Sequence, residues 1–106
     1  MVTFDEFQKL DLRIALIKEV KSHPDADKLM ILIIDVGGEE KQIVAGLKAY
    51  YKNEELVGKK VVVVNNLQPA KLRGVESNGM LLAADTGNDV VILVPEKDVA
   101  IGSKVR

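Results

Sequence analysis

The chain has 106 residues, 47% of them apolar and 29% charged, with a net charge of −1 and no cysteine. That length suits one domain with its own core, and the composition excludes disorder, collagen-like repeats, disulfide scaffolds and thiolate chemistry. No apolar run approaches the roughly 18 residues of a membrane-crossing helix.

The opening MVTFDEFQKLDLR carries acid early and has neither a basic start nor an apolar stretch, so no signal peptide is expected and a reducing cytoplasm suits the chain. Thr3-Phe4-Asp5-Glu6 is a capping-box pattern that predicts a short helix over about Asp5–Lys9, with Phe4, Phe7 and Leu10 along one face. From Asp11 to Val20 the apolar residues alternate, which predicts a long strand. That alternation directs Leu12, Ile14, Leu16 and Val20 to one side and Asp11, Arg13, Ala15 and Glu19 to the other. Ser22-His23-Pro24-Asp25 is turn chemistry. Lys28–Val36 is a second strand, apolar enough through Met30–Ile34 to be buried on both faces. Gly37-Gly38 turns it into a third strand over Lys41–Ala45.

Beyond Gly46, Leu47, Tyr50, Tyr51 and Leu56 fall at helical spacing, with Gly58 as the stop. Lys60–Asn65 is a fourth strand, Gln68–Asn78 a polar loop, and Gly79–Ala84 a fifth strand. Val90–Val94 adds a sixth, followed by a polar end. Fifteen valines and eight isoleucines support this β-rich reading. Five strands with a helix between the third and fourth is the order of the OB-fold, an all-β barrel that binds oligonucleotides or oligosaccharides. Here it carries an N-terminal helix and a C-terminal strand extension. An SH3-like barrel competes on strand count.

Charge is unevenly placed. Residues 1–40 hold five basic and nine acidic side chains, residues 41–74 seven and two, and residues 75–106 three and five. A central basic segment between acidic ends is a local electrostatic footprint. It either solubilises one face or, around Lys71 and Arg73, meets phosphate. His23 with Asp25 and Asp27 lacks the second imidazole or thiolate usual in zinc sites and reads as a turn. No nucleophile motif, catalytic pair or Gly-rich phosphate loop is present, so neither catalysis nor a cofactor or metal is expected. Asn65-Asn66-Leu67-Gln68-Pro69 presents amides suited to base edges or sugar hydroxyls, or is an Asn-rich turn. Ser77-Asn78-Gly79-Met80 is either a tight turn with Met80 entering the core, or a contact in which Ser77 bonds phosphate or ribose and Met80 packs on a base.

Four blocks then follow in order: Asp11–Ile14 (DLRI), His23–Leu29 (HPDADKL), Gln42–Leu47 (QIVAGL), and Asn66–Ala83 (NLQPAKLRGVESNGMLLA). Together they resemble the tRNA-binding domain found at the C-terminus of methionyl-tRNA synthetases, as a separate synthetase β chain, in stand-alone tRNA-binding proteins and in an export-chaperone branch. The resemblance covers nearly the whole chain. It implies one domain over residues 1–106 that forms a homodimer and binds tRNA by shape, as a partner of the catalytic part of a methionyl-tRNA synthetase. The additions over about residues 1–10 and 88–106 resemble the family's dimerisation elements. Asn66, Lys71, Arg73, Ser77 and Met80 match the positions implied to contact tRNA. A stand-alone or chaperone-like dimer that binds unfolded peptide is the alternative. Ala15 stands where many members have glycine, so the bend of the first strand is made differently. With two Phe, two Tyr and no Trp, recognition by stacked bases is disfavoured against recognition of backbone and shape.

Overall fold

The computed structural model describes residues 1–106. In chain order the elements are α1 (Phe4–Gln8), β1 (Leu12–Ser22), β2 (Met30–Asp35), β3 (Glu40–Ala45), α2 (Asn53–Leu56), β4 (Lys60–Val64), β5 (Ala70–Leu72), β6 (Val75–Ser77), β7 (Met80–Leu81), β8 (Ala83–Asp85), β9 (Val90–Ile92) and β10 (Lys104–Val105). The main sheet runs β3-β2-β1-β4-β7, all antiparallel, and β5-β6 and β8-β9 are separate hairpins. The outer strands approach each other where Asn78 N–H donates to the Gln42 carbonyl (2.9 Å) and Ser77 Oγ accepts from Val44 N–H (2.9 Å). The result is a nearly closed, five-stranded OB-like barrel with a short helix between its third and fourth strands, and the SH3-like alternative is set aside.

β1 binds the barrel together because it is long enough to serve two neighbours. Its first half pairs with β4, Leu12 opposite Val64 through Leu16 opposite Lys60, and its second half with β2 from Leu16 onward. Between Ile17 and Glu19 the pairing with β2 shifts by one residue. Such a bulge inverts the facing of every later side chain. Ala15 and Ile17 therefore face the core before it and Val20 packs on the core after it. This corrects the predicted alternation, which sent Ala15 outward and placed Val20 in phase with Leu12 and Ile14. Leu12 and Ile14 are also buried, outside the main core cluster. The strand edge that β2 leaves free at Leu12–Ile14 is taken by the C-terminus, where β10 pairs with Leu12 and Arg13 and Gly102 N–H donates to the Ile14 carbonyl. The polar end expected from the sequence thus contains a strand.

The core brings together Ile17, Leu32, Ile34, Ile43, Val61 and Val63 from β1–β4, with Leu56 from α2. β2 is buried at Met30, Ile31 and Leu32, as its composition predicts, and half-buried at Ile33. The helix expected from Leu47 onward is broken into two short turns. Tyr50 and Tyr51 N–H both close on the Leu47 carbonyl, Lys52 is extended, and helix resumes only at Asn53. Two separate turns thus deliver Leu47 and Leu56 to the core at what reads as one helical period. The supposed loop at 68–78 contains the β5–β6 hairpin, and the supposed fifth strand divides at Leu82 into β7, on the barrel, and β8, paired with β9. No helix is long and apolar enough to cross a membrane.

Candidate nucleic-acid interface

α1 has five residues, none of them buried. A helix so short is unstable alone. Thr3 and Glu6 cap it reciprocally, Thr3 Oγ1 accepting from Glu6 N–H and Glu6 Oε1 from Thr3 N–H, both at 3.1 Å. The bond from the Thr3 backbone, and then that from its hydroxyl, lowers the Glu6 pKa. Downstream, Asn66 fixes the exit from α1: its Oδ1 accepts from Asp11 N–H (2.8 Å) and its Nδ2 donates to the Lys9 carbonyl (2.7 Å). Asn65 Nδ2 donates to the Asp11 carboxylate (3.0 Å), which also receives Arg13 Nε at 2.6 Å. The Arg13 bond first, and that from Asn65 second, hold the Asp11 carboxyl below the usual carboxylate range. Both asparagine amides, read from the sequence either as contacts for base edges or sugar hydroxyls or as part of a turn, clamp the N-terminal segment to the end of β4.

The β5–β6 hairpin turns through Arg73 (φ +54°) and Gly74 (φ +87°), two successive left-handed residues as a type I′ turn requires. Glycine adopts this backbone freely, whereas an arginine there is strained. Lys71 and Arg73 are both exposed on the hairpin. Of the seven basic residues over 41–74 only Lys60 forms an ion pair, with Asp98 at 2.6 Å. The other six form no ion pair, and Lys71 lies directly across the β5–β6 ladder from Glu76. Arg73 Nη2 rests on the Asp25 carbonyl (3.2 Å), and His23, buried at 6% exposure, reaches the Leu72 carbonyl (2.9 Å).

Ser77 is 5% exposed. Its hydroxyl donates to the Gly79 carbonyl (3.0 Å) while accepting from Val44 N–H, so it joins β3 to the β6–β7 corner. Gly79 has φ +151°, and a Cβ there would lie 2.9 Å from the Val64 carbonyl oxygen, so only glycine fits between β4 and β3. Met80 is 45% exposed and thus no core residue. It borders an apolar groove of about 410 Å³ beneath the hairpin, lined also by Val44, Leu47, Leu67, Leu72 and Leu81. Met80 lines this groove together with Ala70 and Leu72 of β5, Arg73 lies against the turn at residues 25–29, and Lys71, between Ala70 and Leu72 in the strand, is exposed; the side chains of Asn66 and Ser77 are engaged within the protein. His23 does sit in the turn read from the sequence, with Nδ1 accepting from Asp25 N–H (2.9 Å), but its bond to the hairpin and the groove-lining roles of Leu67 and Leu72 are not legible there. A lone histidine in a proline turn has no spacing that points to a hairpin 49 residues away.

Comparison with known proteins identifies the family and the fold. The family model described as "Putative tRNA binding domain" matches residues 12–104. The methionine–tRNA ligase of Pyrococcus furiosus is 60% identical over 105 residues, covering 99% of this chain and 14% of that protein. The Thermotoga maritima ligase is 52% identical over 104 residues, covering 98% of the chain and 16% of that protein. The chain thus spans only a small part of these relatives' length. A MetRS related protein from Pyrococcus horikoshii superposes with a TM-score of 0.94 at 38% identity, covering 100% of this chain and 98% of that one. The chaperone CsaA of Bacillus anthracis does so with a TM-score of 0.90 at 31% identity, covering 100% and 99%.

Proposed function

The chain belongs to the tRNA-binding domain family, and we propose that it is a non-catalytic module that grips folded tRNA through sugar and phosphate with little sequence preference. The observation that carries this reading is the β5–β6 hairpin, which exposes Lys71 and Arg73 while its Ala70 and Leu72 line the apolar groove at Met80. Phosphates meet the two cations, and a ribose or base face packs on the methionine. Ser77 and Asn66 act behind this surface, closing the barrel and holding α1. Two copies pair through the terminal additions. Val2, Phe4, Phe7 and Leu10 expose apolar surface on one such addition, and β10 lies beside it, as a self-complementary contact requires. Pairing doubles the basic surface. The module serves the catalytic part of a methionyl-tRNA synthetase in the cytoplasm, as an appended domain or a separate β chain. Tethering raises the local tRNA concentration, so modest intrinsic affinity is sufficient.

Filter binding of several unrelated tRNAs across a salt series tests the reading. The logarithm of affinity should fall with that of salt by about 0.7–0.9 per phosphate contact. Lys71→Ala and Arg73→Ala should each weaken binding roughly tenfold and flatten the slope by about one contact. Met80→Gln should weaken binding with little change in melting temperature, because the side chain is already half in water. A Lys71→Ala/Arg73→Ala double variant with unchanged affinity and slope removes the hairpin from the site. The groove also favours a second reading, capture of an unfolded apolar peptide, which predicts binding indifferent to salt.

A further inference from the structure

We infer that His23 is a positioning residue for RNA binding, setting the pose of the β5–β6 hairpin so that Arg73 is held ready for a phosphate. The inference rests on the hairpin being the tRNA contact. The imidazole is 6% exposed and both its nitrogens are used. Nδ1 accepts from Asp25 N–H at 2.9 Å, so the ring hydrogen resides on Nε2, which donates to the Leu72 carbonyl at 2.9 Å. Leu72 immediately precedes Arg73, whose Nη2 returns to the carbonyl of the same Asp25 at 3.2 Å. Ring, hairpin strand, guanidinium and turn thus form one closed circuit of hydrogen bonds.

The hairpin needs that circuit. Its ladder has three residue pairs and every β5 side chain is exposed, so burial holds it only through β6, at Ser77 and partly at Val75. An isolated two-stranded ribbon of this kind is marginal. At its base the Ser77 hydroxyl anchors it and Gln42 Nε2 donates to the Glu76 carbonyl (2.9 Å); near its tip the anchors are His23 and Arg73. The left-handed backbone at Arg73 persists only where its surroundings over-determine it. An apolar residue at position 23 would bury as well, yet it would leave the Leu72 carbonyl and the Asp25 amide without their partner. Holding the tip in its bound pose removes part of the ordering cost of association.

The test uses the full chain with His23→Asn and His23→Gln, each alone and combined with Arg73→Ala, and reads tRNA affinity by filter binding at several salt concentrations. Asparagine retains an acceptor for Asp25 N–H but is too short for Leu72, whereas glutamine places an amide N–H near the Nε2 position. His23→Asn should weaken binding roughly tenfold and flatten the salt slope by about one contact. It should cost less than about twofold once Arg73 is already alanine, because coupled residues are not additive. His23→Gln should recover most of the loss. Equal losses in both backgrounds, or parental affinity in His23→Asn, overturn the inference while leaving the tRNA reading intact. Absence of tRNA binding by the parent protein at low salt refutes that reading itself, and the inference with it. If His23→Asn lowers the melting temperature enough to unfold the chain, parental affinity and slope in the Arg73→Ala variant overturn the inference instead.

Discussion

Replacing Ser77 with alanine removes the hydroxyl through which β3 meets the β6–β7 corner. Two bonds disappear: the one Ser77 Oγ accepts from Val44 N–H at 2.9 Å, and the one it donates to the Gly79 carbonyl at 3.0 Å. The site is 5% exposed, so water cannot readily replace the lost partner. A buried amide left without an acceptor costs about 1–3 kcal/mol, and an ordinary hydrogen bond contributes about 0.5–1.5 kcal/mol. The alanine methyl recovers less than ~1 kcal/mol by burial. The net loss is about 0.5–4.5 kcal/mol, with a central value of about 2–3 kcal/mol. For a domain near this size each kcal/mol shifts the melting temperature by about 4–8 °C, so a fall of roughly 10 °C or more is expected. Thermal and urea unfolding measure it directly. The tRNA affinity of the still-folded variant, at a temperature well below its transition, should stay within about twofold of the parent. A variant that melts like the parent but loses tRNA affinity refutes the reasoning, because it would make Ser77 a direct RNA contact.

Gly79→Ala should destabilise the chain by about 1–3 kcal/mol, since the new Cβ would sit 2.9 Å from the Val64 carbonyl oxygen at φ +151°. A parental urea midpoint would show that the β4–β7 contact relaxes freely. Asp11→Asn should flatten the acid limb of stability. The Arg13 bond, with Asn65 second, lowers the carboxyl's pKa in the folded chain, so its contribution is complete above the unfolded value of about 3.9 and is lost as pH falls through the lower folded value. Melting temperatures of parent and variant taken from pH 6 to about 2 should converge towards the acid end. Parallel curves would remove Asp11 from the account.

Periodicity, turn residues and caps were sufficient where structure is local. The Thr3–Glu6 box, the β2–β3 pair with its Gly37-Gly38 turn and the span of β4 follow from neighbours in sequence. The order of elements is legible too, but it leaves an SH3-like barrel open, and the pairing of β1 with both β2 and β4 decides for the OB-like barrel. The four motif blocks carried the family as well. Other features required the third dimension. The bulge after Ile17 inverts the facing of β1, and nothing in an alternating apolar pattern marks where one extra residue will be absorbed. The β5–β6 strands are short and exposed, without the burial that makes a strand legible. Asn66, Ser77 and His23 carry polar groups that serve equally at a ligand or at a distant backbone. Which of these occurs depends on what the fold brings within 3 Å: Lys9 and Asp11 for Asn66, Val44 for Ser77, and Leu72 for His23. Residue type sets what a side chain is able to bond, and chain closure over tens of residues selects the partner.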